Sequence, residues 1–240
     1  MVVRGMIPRP RLGAAPAAGR IIRASLAAGL LATAAACSPP GTPAPPSTPG
    51  VIFYDDFSKS TSGWDQHTGS DSTTDYDNGR YLIAVEEPGV DVWGRPGLDL
   101  TDMELEVDAQ YDAGPTNNEY GVFCRYDRGC DGRNSFYFFL ISSDGYYALG
   151  KVIKDVRTIL NPAAGSFQPA PAVKVEPGAV NHLAATCQGD KFSLAVNGTP
   201  VGDFSDADLT HGDVGLVAGT FDEGGVRIYF DNVVVRKPAS

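Results

Sequence analysis

Residues 103–111 alternate strictly between apolar and polar side chains. The apolar positions run from Met103 to Tyr111, and the polar positions between them are Glu104, Glu106, Asp108 and Gln110. Successive side chains of a β-strand point to opposite faces, so the pattern predicts a strand with one buried face and one face in water.

The rest of the chain after residue 50 has the same character. No segment shows sustained helical periodicity, and short β-rich runs are interrupted by turn signals such as Asn78-Gly79 and Asn197-Gly198, which favour type I′ hairpins. The composition of these runs predicts an all-β domain built as a two-sheet antiparallel sandwich. A strand pair, 212–221 with 225–236, is expected to close the domain.

The segment Ser143-Asp-Gly-Tyr146 predicts one further hairpin, and it sets an expected register. With Asp144-Gly145 as a two-residue loop, Ser142 lies opposite Tyr147 and Phe138 lies opposite Lys151. This register places Phe138, Tyr147 and Lys151 on one face of the sheet.

The first fifty residues predict where the protein is located. Five arginines and no acidic residue precede an apolar run at 24–36, which is too short to span a bilayer, and Cys37 follows it. The pattern resembles a bacterial lipoprotein signal, so residues 1–36 are predicted to be a signal peptide and Cys37 a lipidation site on the cell membrane. Ordinary cleavage after Ala34-Ala-Ala36 is the alternative.

Two further segments complete the predicted organisation. Residues 37–50 are rich in Pro, Ser and Thr and are expected to be an extended tether. Residues 51–240 are long enough for one well-buried domain. All 29 acidic residues follow the signal, which gives the remainder a formal net charge of −15 against −10 for the whole chain. This charge argues against a nucleic acid partner, because such proteins need a basic face.

Four runs carry a resemblance to a known family: NEYGVFCRYD (118–127), NSFYFFLISSDGYYALGKV (134–152), NHLAATCQGDKFSLAVNG (181–198) and GDVGLVAGTFDEGGVRIYFDNVVV (212–235). They are similar to the concanavalin A-like lectin/glucanase jelly roll, in the branch related to the 3-keto-disaccharide hydrolase domain. The resemblance implies a jelly-roll sandwich and leaves the function open, since this fold hosts lectins, glycosidases and adhesion modules.

Three cysteines follow Cys37. The resemblance implies a bridge between Cys124 and Cys187, which would leave Cys130 as a free thiol in a polar loop. A local bridge between Cys124 and Cys130 is the alternative. Export from the cytoplasm permits either disulfide.

Glucanases of this superfamily carry alternate carboxylates on one strand, and the polar face of 103–111 offers a comparable set. If the protein is an enzyme of the glycoside-processing type, Glu104, Glu106 and Asp108 are the candidate catalytic residues, although the order of residue types differs from the glucanase pattern. A solvated strand face accounts for the same residues without catalysis.

The family also implies a structural calcium ion at the rim of the sandwich. Asp55, Asp56 and Asp231 lie on the first and last strands and are the candidate ligands, because Ca²⁺ prefers oxygen donors. Aspartates that form turns are the alternative. No other cofactor is expected.

A glycan is the expected ligand. Aromatic and charged side chains at strand spacing suit sugar rings, whose C–H faces pack on π-systems while their hydroxyls form hydrogen bonds. The candidate residues are Trp93, Arg95, Glu119, Arg125, Phe138, Tyr147 and Lys151. The sequence thus predicts a membrane-anchored, non-catalytic carbohydrate-binding or adhesion module, with a glycoside-processing enzyme and a protein-interaction module as alternatives.

Overall fold

The computed structural model describes residues 2–4, 50–161 and 165–238. These residues form seventeen β-strands, and no helix occurs among them. In chain order the strands are β1 (Val2–Arg4), β2 (Val51–Asp55), β3 (His67–Thr68), β4 (Ser72–Asp77), β5 (Arg80–Val85), β6 (Val90–Gly94), β7 (Met103–Ala113), β8 (Asn118–Arg128), β9 (Asn134–Ser142), β10 (Tyr146–Ile153), β11 (Val156–Asn161), β12 (Gln168–Pro169), β13 (Val180–Gln188), β14 (Lys191–Val196), β15 (Thr199–Ser205), β16 (Asp213–Thr220) and β17 (Val226–Arg236).

The strands form two antiparallel sheets. Sheet A has the order β1-β6-β16-β8-β9-β10-β11, with β12 also paired to β10. Sheet B has the order β15-β14-β13-β7-β17-β5-β4-β3, with β2 also paired to β17. Neighbours in each sheet are often distant in sequence, as expected for the predicted jelly-roll sandwich.

The main core lies between the two sheets. The apolar positions of β7 from Met103 to Ala109 are at most 1% exposed, and they pack with inward residues of sheet A such as Tyr120 and Phe139. The strict alternation of β7 therefore predicted the buried face of this strand correctly.

Two of the predicted hairpins are present. Asn78 and Gly79 connect β4 to β5, and Asn197 and Gly198 connect β14 to β15. All four residues have positive φ values between 51° and 78°. This conformation is the one that a type I′ turn requires at both central positions, and it explains why Asn-Gly occurs there.

A disulfide joins the two sheets. Cys124 on β8 is bonded to Cys187 on β13, and Cys130 is a free, exposed thiol. The predicted long-range bridge is confirmed and the local alternative is wrong. Because the bridge closes a loop with a sequence separation of 63, it is expected to stabilise the fold by about 4 kcal/mol, chiefly through the unfolded chain.

The closing strands differ from the prediction. β16 and β17 exist close to the expected limits, but they do not pair with each other. β16 lies between β6 and β8 in sheet A, whereas β17 lies between β7 and β5 in sheet B. The connection through Gly224 and Gly225 therefore crosses from one sheet to the other instead of forming a hairpin.

The predicted signal and tether fall mainly outside the described residues, and so does Cys37. The one described part of the signal is β1, which pairs with the outer edge of β6 through Val2 and Val92. None of the described segments is a helix with the length and apolar character that crossing a membrane requires.

Candidate functional site

The outer face of sheet A, which points away from the main core, carries a second cluster of large apolar side chains. Inward and outward residues alternate along each strand, so that Tyr137 and Phe139 of β9 enter the main core while Phe138 points outward. The buried members of the outer cluster are Trp93, Phe123, Tyr126, Phe136, Phe138, Leu140, Ala148, Phe167 and Val217. A sheet face of this kind resembles a second core more than a solvated surface.

The rings of the outer cluster pack against one another. The centroid of Phe136 lies 5.3 Å from that of Phe123 and 6.0 Å from those of Trp93 and Tyr126. The guanidinium of Arg95 lies 4.3 Å from the centroid of the Tyr126 ring. Trp93 is therefore on the outer face, as expected, but only 3% of it is exposed.

A charged triad lies beside these rings, and its members come from three strands. Both guanidinium Nη atoms of Arg157 on β11 donate to the carboxylate of Glu119 on β8, at 2.6 and 2.7 Å. Arg157 Nη1 is also 3.7 Å from Asp91 Oδ2 on β6. The Arg157 guanidinium stacks 4.5 Å from the centroid of Phe138. Arg157 and Glu119 thus form a bidentate ion pair, and the carboxylate of Asp91 lies at the edge of this pair.

Gly219 of β16 permits this arrangement, because β16 lies between the strands that carry the two carboxylates. A β-carbon at position 219 would overlap Asp91 Oδ1 and would lie 3.0 Å from Glu119 Cγ. Any residue larger than glycine at this position would therefore displace the side chains of Asp91 and Glu119 from β16.

The triad differs in exposure and in acidity from one member to the next. The side chain of Glu119 is 2% exposed and that of Arg157 is 10% exposed, while that of Asp91 is 32% exposed. Burial and the neighbouring Glu119 carboxylate raise the pKa of Asp91 well above its usual range. Burial opposes the charged form of Arg157, but the ion pair with Glu119 outweighs it and raises the pKa of the guanidinium. Asp91 is therefore a carboxyl group with a raised pKa, and it is the most exposed member of the triad.

The register of the β9–β10 hairpin corrects the predicted ligand face. Ser142 pairs with Tyr146, and Phe138 pairs with Gly150, because the loop contains three residues with Gly145 at φ 90°. A shift of one residue moves every following side chain to the other face. Tyr147 and Lys151 accordingly point toward sheet B, away from Phe138.

The contacts of these two side chains fit that position. The hydroxyl of Tyr147 donates to Asn161 at 3.0 Å. Lys151 Nζ bonds Asp206 at 2.5 Å and Asp208 at 2.6 Å. Both side chains tie β10 to its neighbours and lie apart from the outer cluster.

Arg125 also leaves the predicted face. It sits in a bulge of β8 with φ 54°, and its side chain is 1% exposed. Its guanidinium donates to the carbonyls of Thr101, Gly189 and Leu209 at 2.8–2.9 Å. Arg125 therefore links three loops near the disulfide through hydrogen bonds to their carbonyl groups. Trp93, Glu119 and Phe138 remain together on the outer face of sheet A.

The candidate catalytic strand lies on the opposite side of the molecule, on the outer face of sheet B. Glu106 accepts from Arg236 at 2.7 Å, and Asp108 accepts from Asn232 at 3.0 Å and contacts His182 Nδ1 at 2.8 Å. The hydrogen bond with His182 lowers the pKa of Asp108, and the same contact raises the pKa of His182. Glu104, Glu106 and Asp108 thus lie on a solvated surface of ion pairs, remote from the aromatic cluster.

The sequence matches the 3-keto-alpha-glucoside-1,2-lyase-like domain family over residues 52–236. The chain belongs to this family. The assignment confirms the resemblance inferred from the sequence, and it covers both outer faces and the main core. No curated protein matches the chain.

Solved structures similar to this lyase-like domain share its sandwich. A Bacillus subtilis protein of unknown function with a galectin-like fold superposes with a TM-score of 0.59 at 9% identity, covering 78% of this chain and 96% of that one. An endo-β-galactosidase from Clostridium perfringens that releases GlcNAcα1-4Gal has a TM-score of 0.57 at 10% identity, covering 83% and 66%. Bacillus licheniformis β-glucanase has a TM-score of 0.54 at 13% identity, covering 80% and 100%. At these identities the likeness establishes the concanavalin A-like fold.

The three aspartates considered for calcium in the lyase-like domain have other contacts. Strands β2 and β17 are neighbours, as expected, but Asp55 accepts from the N–H of Phe57 at 2.8 Å and from Trp64 Nε1 at 2.9 Å. Asp56 accepts from Ser58, and Asp231 accepts from the N–H of the next residue. Within the described part of the chain, no group of three or more His, Cys, Asp or Glu is arranged to hold a metal ion.

Two members of the triad were missed by the sequence analysis of this lyase-like domain. Asp91 lies between the buried Val90 and Val92 and two residues before Trp93, so the alternation could have placed it on the same face as Trp93. Arg157 lies on a strand that follows the hairpin, and its approach to Glu119 depends on the order of four strands in sheet A. Only the outward position of Asp91 could be predicted from the local alternation of residues.

Proposed function

We propose that the outer face of sheet A binds carbohydrate and that a lipid anchor at Cys37 holds the domain at the membrane surface. The observation that carries the first part is the joint presence of an aromatic cluster and a charged triad on one sheet face. The outer face of sheet B, in contrast, carries ion pairs in water.

The chemistry of the outer face of sheet A suits a sugar. Half-buried apolar side chains at its border, such as Tyr146 and Ile159, can pack on the C–H faces of a pyranose ring. The carboxylate of Asp91 and the guanidinium of Arg95 can pair with hydroxyl groups. A shallow sheet face of this kind is expected to bind modestly, because it removes little of a ligand from water.

The relatives support the same class of ligand. The family is named for a lyase acting on keto-glucosides. Two proteins with the same fold are, by name, a β-glucanase and an endo-β-galactosidase. Each of these proteins acts on a carbohydrate, which makes carbohydrate the first class of ligand to test.

Tyr146 and Tyr147 offer a matched pair of variants, because they are adjacent and point to opposite faces of β10. We expect Tyr146→Ala to weaken binding of a sugar identified on a glycan array by about fivefold, since one aromatic contact contributes about 1 kcal/mol. Tyr147→Ala should leave affinity unchanged and lower the unfolding midpoint, because this ring packs against the main core. Isothermal titration calorimetry and thermal unfolding measure the two effects.

Two results would contradict this proposal. If Tyr147→Ala weakens binding and Tyr146→Ala does not, the binding face is wrong. If the intact domain binds nothing on a broad glycan array, the protein-interaction alternative is favoured.

The anchor rests on the amino-terminal sequence, where a basic segment and an apolar run precede Cys37. A diacylated cysteine combined with a third acyl chain gives stable membrane attachment. Cys37→Ala should therefore move the protein from the detergent phase to the aqueous phase in a phase-partition experiment. Cys130→Ala is the control, because Cys130 is the exposed thiol of the folded domain. Equal partitioning of the Cys37 variant and the wild type would refute the anchor.

A further inference from the structure

We propose that the outer face of sheet A selects a carbohydrate that carries a free amino group, whose ammonium pairs with the carboxylate of Asp91. The inference rests on the proposed carbohydrate binding by that face, and it names the class of sugar. Its basis is an excess of carboxyl groups over cations beside the outer cluster.

The first argument is a count of charges. Two arginines stack on rings of the outer cluster, Arg157 on Phe138 and Arg95 on Tyr126. Each guanidinium lies at ion-pair distance from two carboxyl groups, which are Glu119 and Asp91 for Arg157 and Asp65 and Asp213 for Arg95. Four carboxyl groups therefore share two guanidinium groups. A ligand that brings a positive charge would reduce this excess, whereas an acidic sugar would increase it.

The second argument identifies the carboxyl group that is left for a ligand. Both oxygens of Glu119 accept hydrogen bonds from Arg157, while Asp91 Oδ2 lies 3.7 Å from the nearest guanidinium nitrogen. The side chain of Asp91 is also the most exposed of the triad, at 32%. A metal ion needs several oxygen ligands, but an ammonium needs only one carboxylate, so the ammonium fits the group that remains.

The third argument is that this face already holds cations in the same way. The guanidinium of Arg157 lies 4.5 Å from the centroid of Phe138 and contacts carboxyl groups with its nitrogens. Cations bind well where an aromatic face and a carboxylate meet. A sugar could place its C–H face on half-buried Tyr146 at the border of the outer cluster and its ammonium on Asp91.

The fourth argument is independent of the charge count. Arg157 Nε is buried and has no hydrogen-bond partner among the described residues, although the side chain is only 10% exposed. Buried donors are almost always paired in folded proteins, so this N–H is available to a ligand oxygen, directly or through one water. In an amino sugar an oxygen is bonded to the carbon next to the one that bears the amino group. The donor and the acceptor of the triad thus match two neighbouring groups of such a sugar.

The test compares sugars that differ in one group. The β-1,4-linked trimers of glucosamine, N-acetylglucosamine and glucose share one backbone and carry an ammonium, an acetamide or a hydroxyl at the same carbon. At about pH 6, where an amino group is protonated, the glucosamine trimer should bind about tenfold tighter than either neutral trimer in isothermal titration calorimetry. Added sodium chloride should reduce this difference, because the pair is partly exposed.

Two variants separate pairing with Asp91 from a general attraction to an acidic protein. Asp91→Asn keeps the shape of the side chain, and it should lower affinity for the glucosamine trimer to that of the neutral trimers. Glu104→Gln removes one negative charge from the outer face of sheet B, and it should leave the preference unchanged. Unfolding midpoints are measured for both variants, and the comparison of trimers on the wild type requires neither of them.

A glycan array that carries amino sugars of other linkages beside their N-acetylated counterparts extends the test to other backbones. Binding of the free amine in preference to its counterpart supports the inference. Preference for neutral sugars overturns it, and so does a preference for the amine that persists in Asp91→Asn or that Glu104→Gln removes equally. In these cases carbohydrate binding still stands. If the domain binds neither the trimers nor any glycan of the array, both this inference and the proposed carbohydrate binding are wrong.

Discussion

The outer faces of the two sheets follow the same alternation of side chains but have opposite character. On sheet B, Glu106 and Asp108 of β7 form ion pairs and hydrogen bonds with Arg236 and His182 in contact with solvent. On sheet A, Phe138 of β9 is 1% exposed and supports the guanidinium of Arg157. One face is an ordinary solvated surface, whereas the other places charged groups on an apolar support.

The difference has an electrostatic consequence. The ion pairs of sheet B are direct contacts at a surface open to solvent, where water weakens the interaction between charges. The triad on sheet A is partly withdrawn from water, where the same charges interact more strongly. The causes of the pKa shifts differ between the faces: burial and the neighbouring Glu119 raise the pKa of Asp91, whereas the hydrogen bond with His182 lowers the pKa of Asp108.

Glycine makes the apolar support possible. Gly215 of β16 faces outward on sheet A, and a β-carbon there would overlap Cζ of Phe123. The ring of Phe123 therefore lies against the backbone of the neighbouring strand. Because the alternation rule treats glycine as neither apolar nor polar, this support is not apparent from the hydrophobic pattern alone.

The largest expected effect comes from removing the apolar support. Phe138→Ala should lower the free energy of unfolding by about 3–5 kcal/mol, because it leaves a cavity in a buried cluster. Glu104→Ala, on the outer face of sheet B, should change it by less than about 0.5 kcal/mol. Urea unfolding monitored by tryptophan fluorescence measures both values. Similar small losses in the two variants would show that the outer face of sheet A is not a second core.

The sequence predicted the features that depend on local pattern. The buried positions of β7, the two Asn-Gly hairpins and the concanavalin A-like family follow from alternation, turn chemistry and motif, and all are confirmed. The bridge between Cys124 and Cys187 followed from the resemblance, and it is also confirmed.

The sequence could not predict the features that depend on register and strand order. The loop between β9 and β10 has three residues where two were expected, and this single residue moved Tyr147 and Lys151 to the other face. The triad unites β6, β8 and β11, which are not consecutive in the chain or in the sheet. Side chains brought together in this way leave no spacing signature, because loop lengths between distant strands are free to vary.

The smallest expected effect tests the electrostatic contrast with two equivalent substitutions, one on each face. Asp108→Asn removes an ionised group whose folded-state pKa is lowered by the hydrogen bond with His182. Its stabilising contribution is present above the unfolded pKa and is lost as the pH falls through the folded value. At neutral pH this variant should therefore be less stable than the wild type, by about 0.2–1 kcal/mol, because the pair is partly exposed.

Asp91→Asn should act in the opposite direction. Burial and Glu119 raise the folded-state pKa of Asp91 above the ordinary value of 3.8. Between these two values the unfolded chain has lost a proton that the folded protein keeps, so the wild type becomes less stable as the pH rises above about 4. Asparagine cannot ionise, and this variant should lack that decline and be at least as stable as the wild type at neutral pH. Urea unfolding of both variants at a series of pH values measures the contrast. If Asp91→Asn instead loses stability at neutral pH and Asp108→Asn gains it, the two faces do not differ in the way that their contacts imply.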